Sequence, residues 1–131
     1  TAESVTAVDY FDGRGTPSPG DTLPEFNRNI ERYGVADKVT AVHADDSIPL
    51  PAYGLAFIDA AHDYDSVAAD IKRCLEVLKP GGLLAFHDFK HPSHPGIEEA
   101  VDELLIDGFE LISTTQTLAV VRTPARVPLE V

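Results

Sequence analysis

The chain has 131 residues, 44% of them hydrophobic and 24% charged, which is the balance of one ordinary globular domain large enough to bury a core. Its formal net charge of -12 argues against wrapping a nucleic-acid backbone or lying on an anionic membrane, and no apolar run approaches the ~20 residues of a membrane span. A single cysteine, Cys74, excludes an intrachain disulfide framework and a multi-cysteine zinc site, and its place in a helical apolar stripe reads as packing.

The opening residues, TAES, carry neither a Met nor a signal-peptide pattern. A processed or excised piece and a cytoplasmic location are therefore expected. Residues 5–8 form a short apolar strand stopped by Asp9, and Gly13, Gly15, Pro17, Pro19 and Gly20 make a long irregular loop. Thr22-Leu-Pro-Glu25 fits a capping box with Pro24 in the first turn. The helix it opens carries Phe26, Ile30 and Tyr33 on one face and ends at Gly34. Residues 39–44 form a second strand, followed by Asp45 and Asp46, and 48–53 read as loop.

Residues 55–58 form a third strand. A helix follows with Val67, Ile71, Cys74, Leu75 and Leu78 spaced for one buried stripe, stopped by the turn Lys79-Pro-Gly-Gly82. Residues 83–86 are the fourth strand. Pro95 can open a helix carrying Ile97, Ala100, Val101, Leu104 and Leu105, ended by Gly108. Residues 109–113 and 118–122 are two last strands joined as an antiparallel hairpin, and a loose, Pro-punctuated tail closes the chain. The order β-α-β-β-α-β-α-β-β predicts a three-layer Rossmann-like α/β fold with a mostly parallel sheet, occupying residues 1–123, with 124–131 as tail.

Two of these strands end alike. LAFID at 55–59 and LLAFHD at 83–88 each stop on ionisable residues, with one helix between them. In an open parallel sheet that spacing brings both ends to the carboxyl edge, where such folds bind ligands. Asp59, His62, Asp63, His87, Asp88, His91 and His94 gather there, and four of the chain's five histidines are among them. The concentration reads as an active site.

The motifs FIDAAHDY at 57–64 and LKPGGLLAFHD at 78–88, followed by His91-Pro, Pro95-Gly and AVDE at 100–103, resemble those of the class I S-adenosylmethionine-dependent methyltransferases. The small-molecule O-methyltransferase branch, whose fourth strand ends FIDxxHxYxxVxxD, is the best match. The resemblance runs from about Val5 to Arg122. Members of the family open with a strand and a glycine-rich ExGxxxGxS turn that cradles the cofactor. This chain is similar to them only from the family's second strand onward, so the first strand and helix are expected to be missing.

The resemblance implies methyl transfer from S-adenosylmethionine to a hydroxyl of a small-molecule substrate. It implies that Asp9 holds the ribose hydroxyls and that Asp45 lies near the adenine amine, with Asp46 as the alternative, and it counts Asp59 among the cofactor contacts. It further implies that Asp59 and Asp88 bind Mg²⁺ or another divalent cation, and that His62 removes the substrate's hydroxyl proton. Where relatives add an Asn or Asp after the second carboxylate, Phe89 stands here, so His87 or His91 would complete the site and move its preference toward a transition ion.

The residues also allow plainer roles: Asp9 as a solvated strand end, Asp59 as an orienter of His62 or a helix cap, and His62 as a hydrogen-bonded residue at a helix start. Asp63 and Asp65 suit the helix N-terminus, Tyr64 either packing or substrate contact, His94 an exposed loop and His43 a satisfied core position. Two other function classes stay open: a non-catalytic remnant and a metal-dependent hydrolase. A third is a binding module acting through a sheet edge. Without the family's first strand, the strands at 5–8 and 55–58 lose a neighbour. They are expected either to pair directly or to be covered by a second copy in a homodimer.

Overall fold

The structure is a computed structural model that describes residues 3–14, 16–49, 52–59 and 61–124. Gly15 of the first loop, and the expected tail from 125 on, lie outside the described residues. The order of elements is the expected one: β1 (Val5–Asp9), α1 (Leu23–Arg32), β2 (Val39–His43), β3 (Tyr53–Ile58), α2 (Tyr64–Leu75), β4 (Leu78–Phe86), α3 (Pro95–Ile106), β5 (Glu110–Thr115) and β6 (Leu118–Arg122). They fall into two compact units, Thr1–Pro49 and Leu50–Val131.

In the first unit β1 and β2 pair in parallel, Val5 opposite Val39 and Asp9 opposite His43. The capping box does not form. Thr22 has φ -99° and ψ -5°, a helical conformation that turns its hydroxyl away from the orphan donors, and its side chain makes no cap bond. Asp21 takes the role instead, its Oδ1 accepting from the backbone N–H of Leu23 at 3.1 Å. Tyr33 is the C-cap of α1, outside the expected apolar face, and is 71% exposed. Gly34 then adopts φ +71°, the left-handed turn that ends the helix.

The second unit is a four-stranded sheet in the order β3-β4-β6-β5. β3 and β4 are parallel, whereas β4 and β6, and β6 and β5, are antiparallel. Register puts Ile58 opposite Phe86 and Phe86 opposite Ala119. Leu84, two residues earlier, faces Ala56 and Val121. These residues share one face by the period of two, and α2 and α3 cover it with Val67, Ile71, Ile97, Ala100, Val101 and Leu104. Each fully buried Leu, Val or Phe side chain among them contributes roughly 1.5–3 kcal/mol.

Two expectations need correction here. The helical stripe does not reach Leu78, and the Lys79-Pro-Gly-Gly82 turn does not stand outside the sheet. α2 ends at Leu75, and β4 already begins at Leu78, which pairs with Tyr53. That pairing, fixed by the Tyr53 N–H to Val77 carbonyl bond of 2.7 Å, also draws Tyr53 out of the expected loop into β3. Gly82 permits it, since a Cβ there would lie 2.8 Å from the Lys79 carbonyl oxygen.

α3 packs on α2 through a second close approach. A Cβ on Gly96 would sit 2.5 Å from the Tyr64 backbone nitrogen. The Tyr64 hydroxyl donates to the Glu103 carboxylate at 2.6 and 2.7 Å, which pushes its pKa up to about 12 and makes it a clasp between the helices. Gly96→Ala is therefore expected to destabilise the fold by ~1–3 kcal/mol, the range for overpacking a close contact. Gly54→Ala, where nothing lies within 4 Å of an added Cβ, is the control and should cost less. Urea melts of both variants measure the difference.

Candidate active site

The carboxyl ends of β3 and β4 lie side by side, joined by the His87 N–H to Ile58 carbonyl bond of 3.2 Å. β3 delivers Asp59 and the following turn delivers His62. Asp63 then caps α2, its side chain accepting from the Ser66 N–H at 3.0 Å, and Asp65 sits in the first turn, as both were expected to. The cap fixes where the turn ends and so where His62 stands.

β4 delivers His87 and Asp88. Phe89 follows and is only 4% exposed, in the core, its N–H bonded to the Thr117 carbonyl. An aromatic ring in the core cannot ligate, so the position after Asp88 contributes nothing to a cation. To leave the strand and bury Phe89, the backbone turns left-handed at Asp88, φ +62°, and again at Lys90, φ +61°. Asp tolerates that region better than most residues.

A chain of contacts runs through the edge. His87 Nδ1 lies 3.1 Å from Asp59 Oδ1 and 3.2 Å from Asp88 Oδ2. Asp88 Oδ2 also meets His62 Nε2 at 2.8 Å. The His62 ring stacks on that of His94 at 3.9 Å, and His94 is 4.8 Å from His91. The partner of His62 is thus Asp88, not Asp59; the shorter sequence distance misled. His94 is half-buried at the N-cap of α3 rather than exposed on a loop, and its stacking on His62 had no signal in the sequence beyond its residue type.

Asp59, His87 and Asp88 place one donor atom each within 4.8 Å of one another, and His62, Asp88 and His94 do the same. Asp59, His62 and His87 border a shallow hollow over the buried Ile58, Val67 and Phe86. Partial burial raises the Asp88 pKa, but the His62 hydrogen bond and the nearby His87 and His91 outweigh it and hold the carboxyl below its ordinary value. Cys74 is remote from this chemistry, and burial pushes its thiol up to about 11, as an inert packing residue requires.

In the first unit, Asp9 closes β1 and its Oδ1 accepts from the Phe11 N–H at 3.1 Å. Asp45 follows β2, 3.8 Å from His43 Nδ1. His43 is not a core residue: it is exposed at the strand end, where Tyr10 meets its ring edge-on at 5.6 Å. The strand ends one residue before Ala44, which carries His43 to the sheet edge instead of its middle.

The lowered Asp88 pKa has a consequence for stability. The folded form binds fewer protons than the unfolded chain, so the contribution is present above the ordinary carboxylate pKa of about 3.9 and is lost as the pH falls through the folded value. Carboxyl NMR titration should place Asp88 below that value, and His62→Ala should move it upward. An unshifted Asp88 in the variant would separate the two side chains in solution.

A family model described as a methyltransferase domain matches residues 1–89. No curated protein matches the chain. Among solved structures it is similar to the O-methyltransferase NovP, with 18% identity and a TM-score of 0.74 over 92% of this chain and 60% of that one. It is also similar to CalS11, a TDP-rhamnose 3'-O-methyltransferase of calicheamicin biosynthesis, with 20% identity and a TM-score of 0.64 over 91% and 58% of the two chains. A third likeness is to the O-methyltransferase TomG from Streptomyces achromogenes, solved with S-adenosylmethionine, with 14% identity and a TM-score of 0.62 over 93% and 73%. The chain thus spans 60% of the length of NovP and 58% of that of CalS11. Between a family match over more than half the chain and a Rossmann-like fold shared with these enzymes, the chain belongs to the class I S-adenosylmethionine-dependent methyltransferases.

Proposed function

We propose that this chain serves methyl transfer from S-adenosylmethionine to a hydroxyl of a small-molecule substrate in the cytoplasm. The observation that carries the reading is the His62–Asp88 pair at 2.8 Å on the ligand edge of a methyltransferase fold. With Nε2–H donating to Asp88, the His62 Nδ1 is left as the acceptor of the hydroxyl proton, and the carboxylate stabilises the imidazolium that forms. Once His62 holds the proton, the freed substrate oxygen would be ready to accept the methyl group. S-adenosylmethionine, when bound, supplies that methyl group already activated by its positive sulfur.

Asp9 suits the ribose hydroxyls, since a carboxylate keeps acceptor capacity beyond its one bond to Phe11. Asp45 suits the adenine amine. A divalent cation would be held by Asp59, Asp88 and His87, whose donors lie close enough together to converge. It would orient and acidify the acceptor hydroxyl. One imidazole beside two carboxylates shifts the preference from Mg²⁺ toward Mn²⁺ or a later ion.

Calorimetric titration with S-adenosylhomocysteine should show binding that weakens in Asp9→Asn. No binding to either form would leave the non-catalytic reading in its place. In a methyl-transfer assay His62→Ala should lower turnover by ~10²–10⁴-fold, the usual effect of losing a general base, while cofactor affinity changes little. Full activity in excess chelator would remove the cation from the site.

A homodimer belongs to the same proposal. β3 is an edge strand of its sheet, and Leu55 and Phe57, alternating on the face that α2 and α3 leave open, are 56% and 58% exposed. Apolar edges of this kind invite pairing with another chain. The alternative to a dimer was direct pairing of β1 with β3; among the described residues the two strands belong to different sheets. Light scattering on a size-exclusion column at micromolar concentration should give twice the monomer mass, and Phe57→Lys should return a monomer with a cooperative melt. A monomeric parent chain would overturn the dimer.

A further inference from the structure

The ligand edge holds a second group of donors, in which His94, unused by the proposed reaction, joins His62 and Asp88. His62, Asp88 and His94 bring two imidazoles and one carboxylate within 4.8 Å of one another. They differ in chemistry from Asp59, His87 and Asp88, which offer two carboxylates and one imidazole. Hard ions such as Mg²⁺ seek oxygen, whereas imidazole suits zinc, cobalt and nickel. Two histidines and one carboxylate with room for a fourth ligand is also the usual composition of an open zinc site.

Three observations give the group its shape. The His62 and His94 rings lie nearly parallel, 17° apart with centroids at 3.9 Å, which keeps the two imidazoles together, but their lone pairs lie in the ring planes, so His94 has to turn out of the stack for both to face one ion. Asp88 Oδ2 is already 2.8 Å from His62 Nε2. The third is the setting: His62 and Asp88 side chains are 35% and 19% exposed, half-withdrawn from solvent but open to an entering ion. At metal–ligand distances of ~2.0–2.2 Å, tetrahedral donors stand ~3.3–3.6 Å apart. The site would form by side-chain rotation of His94, which stands at the N-cap of α3 and not on a strand.

We propose that His62, His94 and Asp88 form a binding site for a zinc-type divalent ion, separate in its donors from Asp59 and His87 but sharing Asp88 with them. Such an ion takes the imidazole of His62 as a ligand. On the reading of His62 as the base, the site is therefore inhibitory: an ion held there blocks proton removal. The binding itself stands whether or not methyl transfer does.

Cobalt(II) is the probe, because its visible d–d absorption reports coordination by imidazole directly. Titrated into the whole chain, it should raise a saturable band that zinc displaces. His94→Ala and His94→Phe should each weaken cobalt binding at least tenfold, the phenyl ring keeping the stack on His62 without a donor. Asp59→Asn should retain the band, with circular dichroism confirming that each variant is folded. A band unchanged in both His94 variants, or lost in Asp59→Asn, would place the ion on the other donors and overturn the proposal. So would the absence of any band in the parent chain. Inhibition is read separately, as loss of methyl transfer when zinc is added. Binding without inhibition would overturn only the inhibitory role, and a chain with no transferase activity would count against the proposed function and leave the cobalt result standing.

Discussion

The geometry of the ligand edge depends on two phenylalanines separated by two residues. Phe86 is fully buried at the end of β4 and Phe89 is 4% exposed. Both must reach the same core, so the chain has to leave the strand and double back within His87 and Asp88. That reversal is what forces positive φ at Asp88. A left-handed residue costs about 1–2 kcal/mol, and less for Asp, whereas burying Phe89 contributes about 1.5–3 kcal/mol. Burial wins, and the two residues caught in the turn present their side chains at the edge. His87 then lies between two carboxylates, and Asp88 meets His62. The chemistry is positioned by packing beneath it.

Most of the second unit was legible from pattern. The 3.6-residue spacing of Ile97, Ala100, Val101 and Leu104 marks α3, and all four are buried. Alternation and the polar turn mark the β5–β6 hairpin. Where the reading failed, the cause was an interaction between distant residues. Leu78 fits the helical stripe of α2 equally well, and only its pairing with Tyr53 assigns it to β4. Lys79-Pro-Gly-Gly82 looks like a turn because Pro and Gly usually are one. Here it forms an irregularity in the β3–β4 pair, whose register jumps from Tyr53–Leu78 to Leu55–Leu83, with Gly81 at φ +76°. The capping box at Thr22 failed for a local reason of another kind: the motif specifies residue types, not the backbone angle that aims the hydroxyl.

The candidate site was legible as a set and not as a network. Strand ends bearing Asp and His announce an edge with chemistry, and Asp59, His62, His87 and Asp88 do meet there. Which carboxylate holds which imidazole depends on a left-handed turn that no sequence spacing encodes. The same turn hides the second donor group, because His94 reaches His62 through the start of α3, 32 positions along the chain. In the first unit, Asp9 and His43 were both placed by counting along a strand. The count held for Asp9 and failed by one residue for His43, which sits at the edge instead of the core.

The choice of histidine at position 62 has a physical logic of its own. The chain carries a net charge of -12, and Asp88 and Asp59 add local negative potential at the edge. A lysine at 62 would stand beside Asp88 as a permanent counter-ion, already filling the charge that draws a divalent ion in. An imidazole, unlike a lysine ammonium, has an accessible neutral form. It can hydrogen-bond the carboxylate without cancelling it. The edge thus keeps both an imidazole nitrogen and a negative field in one place. Four histidines gathered in an acidic protein need not neutralise the edge; a cation of the kind proposed for it would meet both the carboxylates that attract it and the nitrogens that decide which ion is preferred.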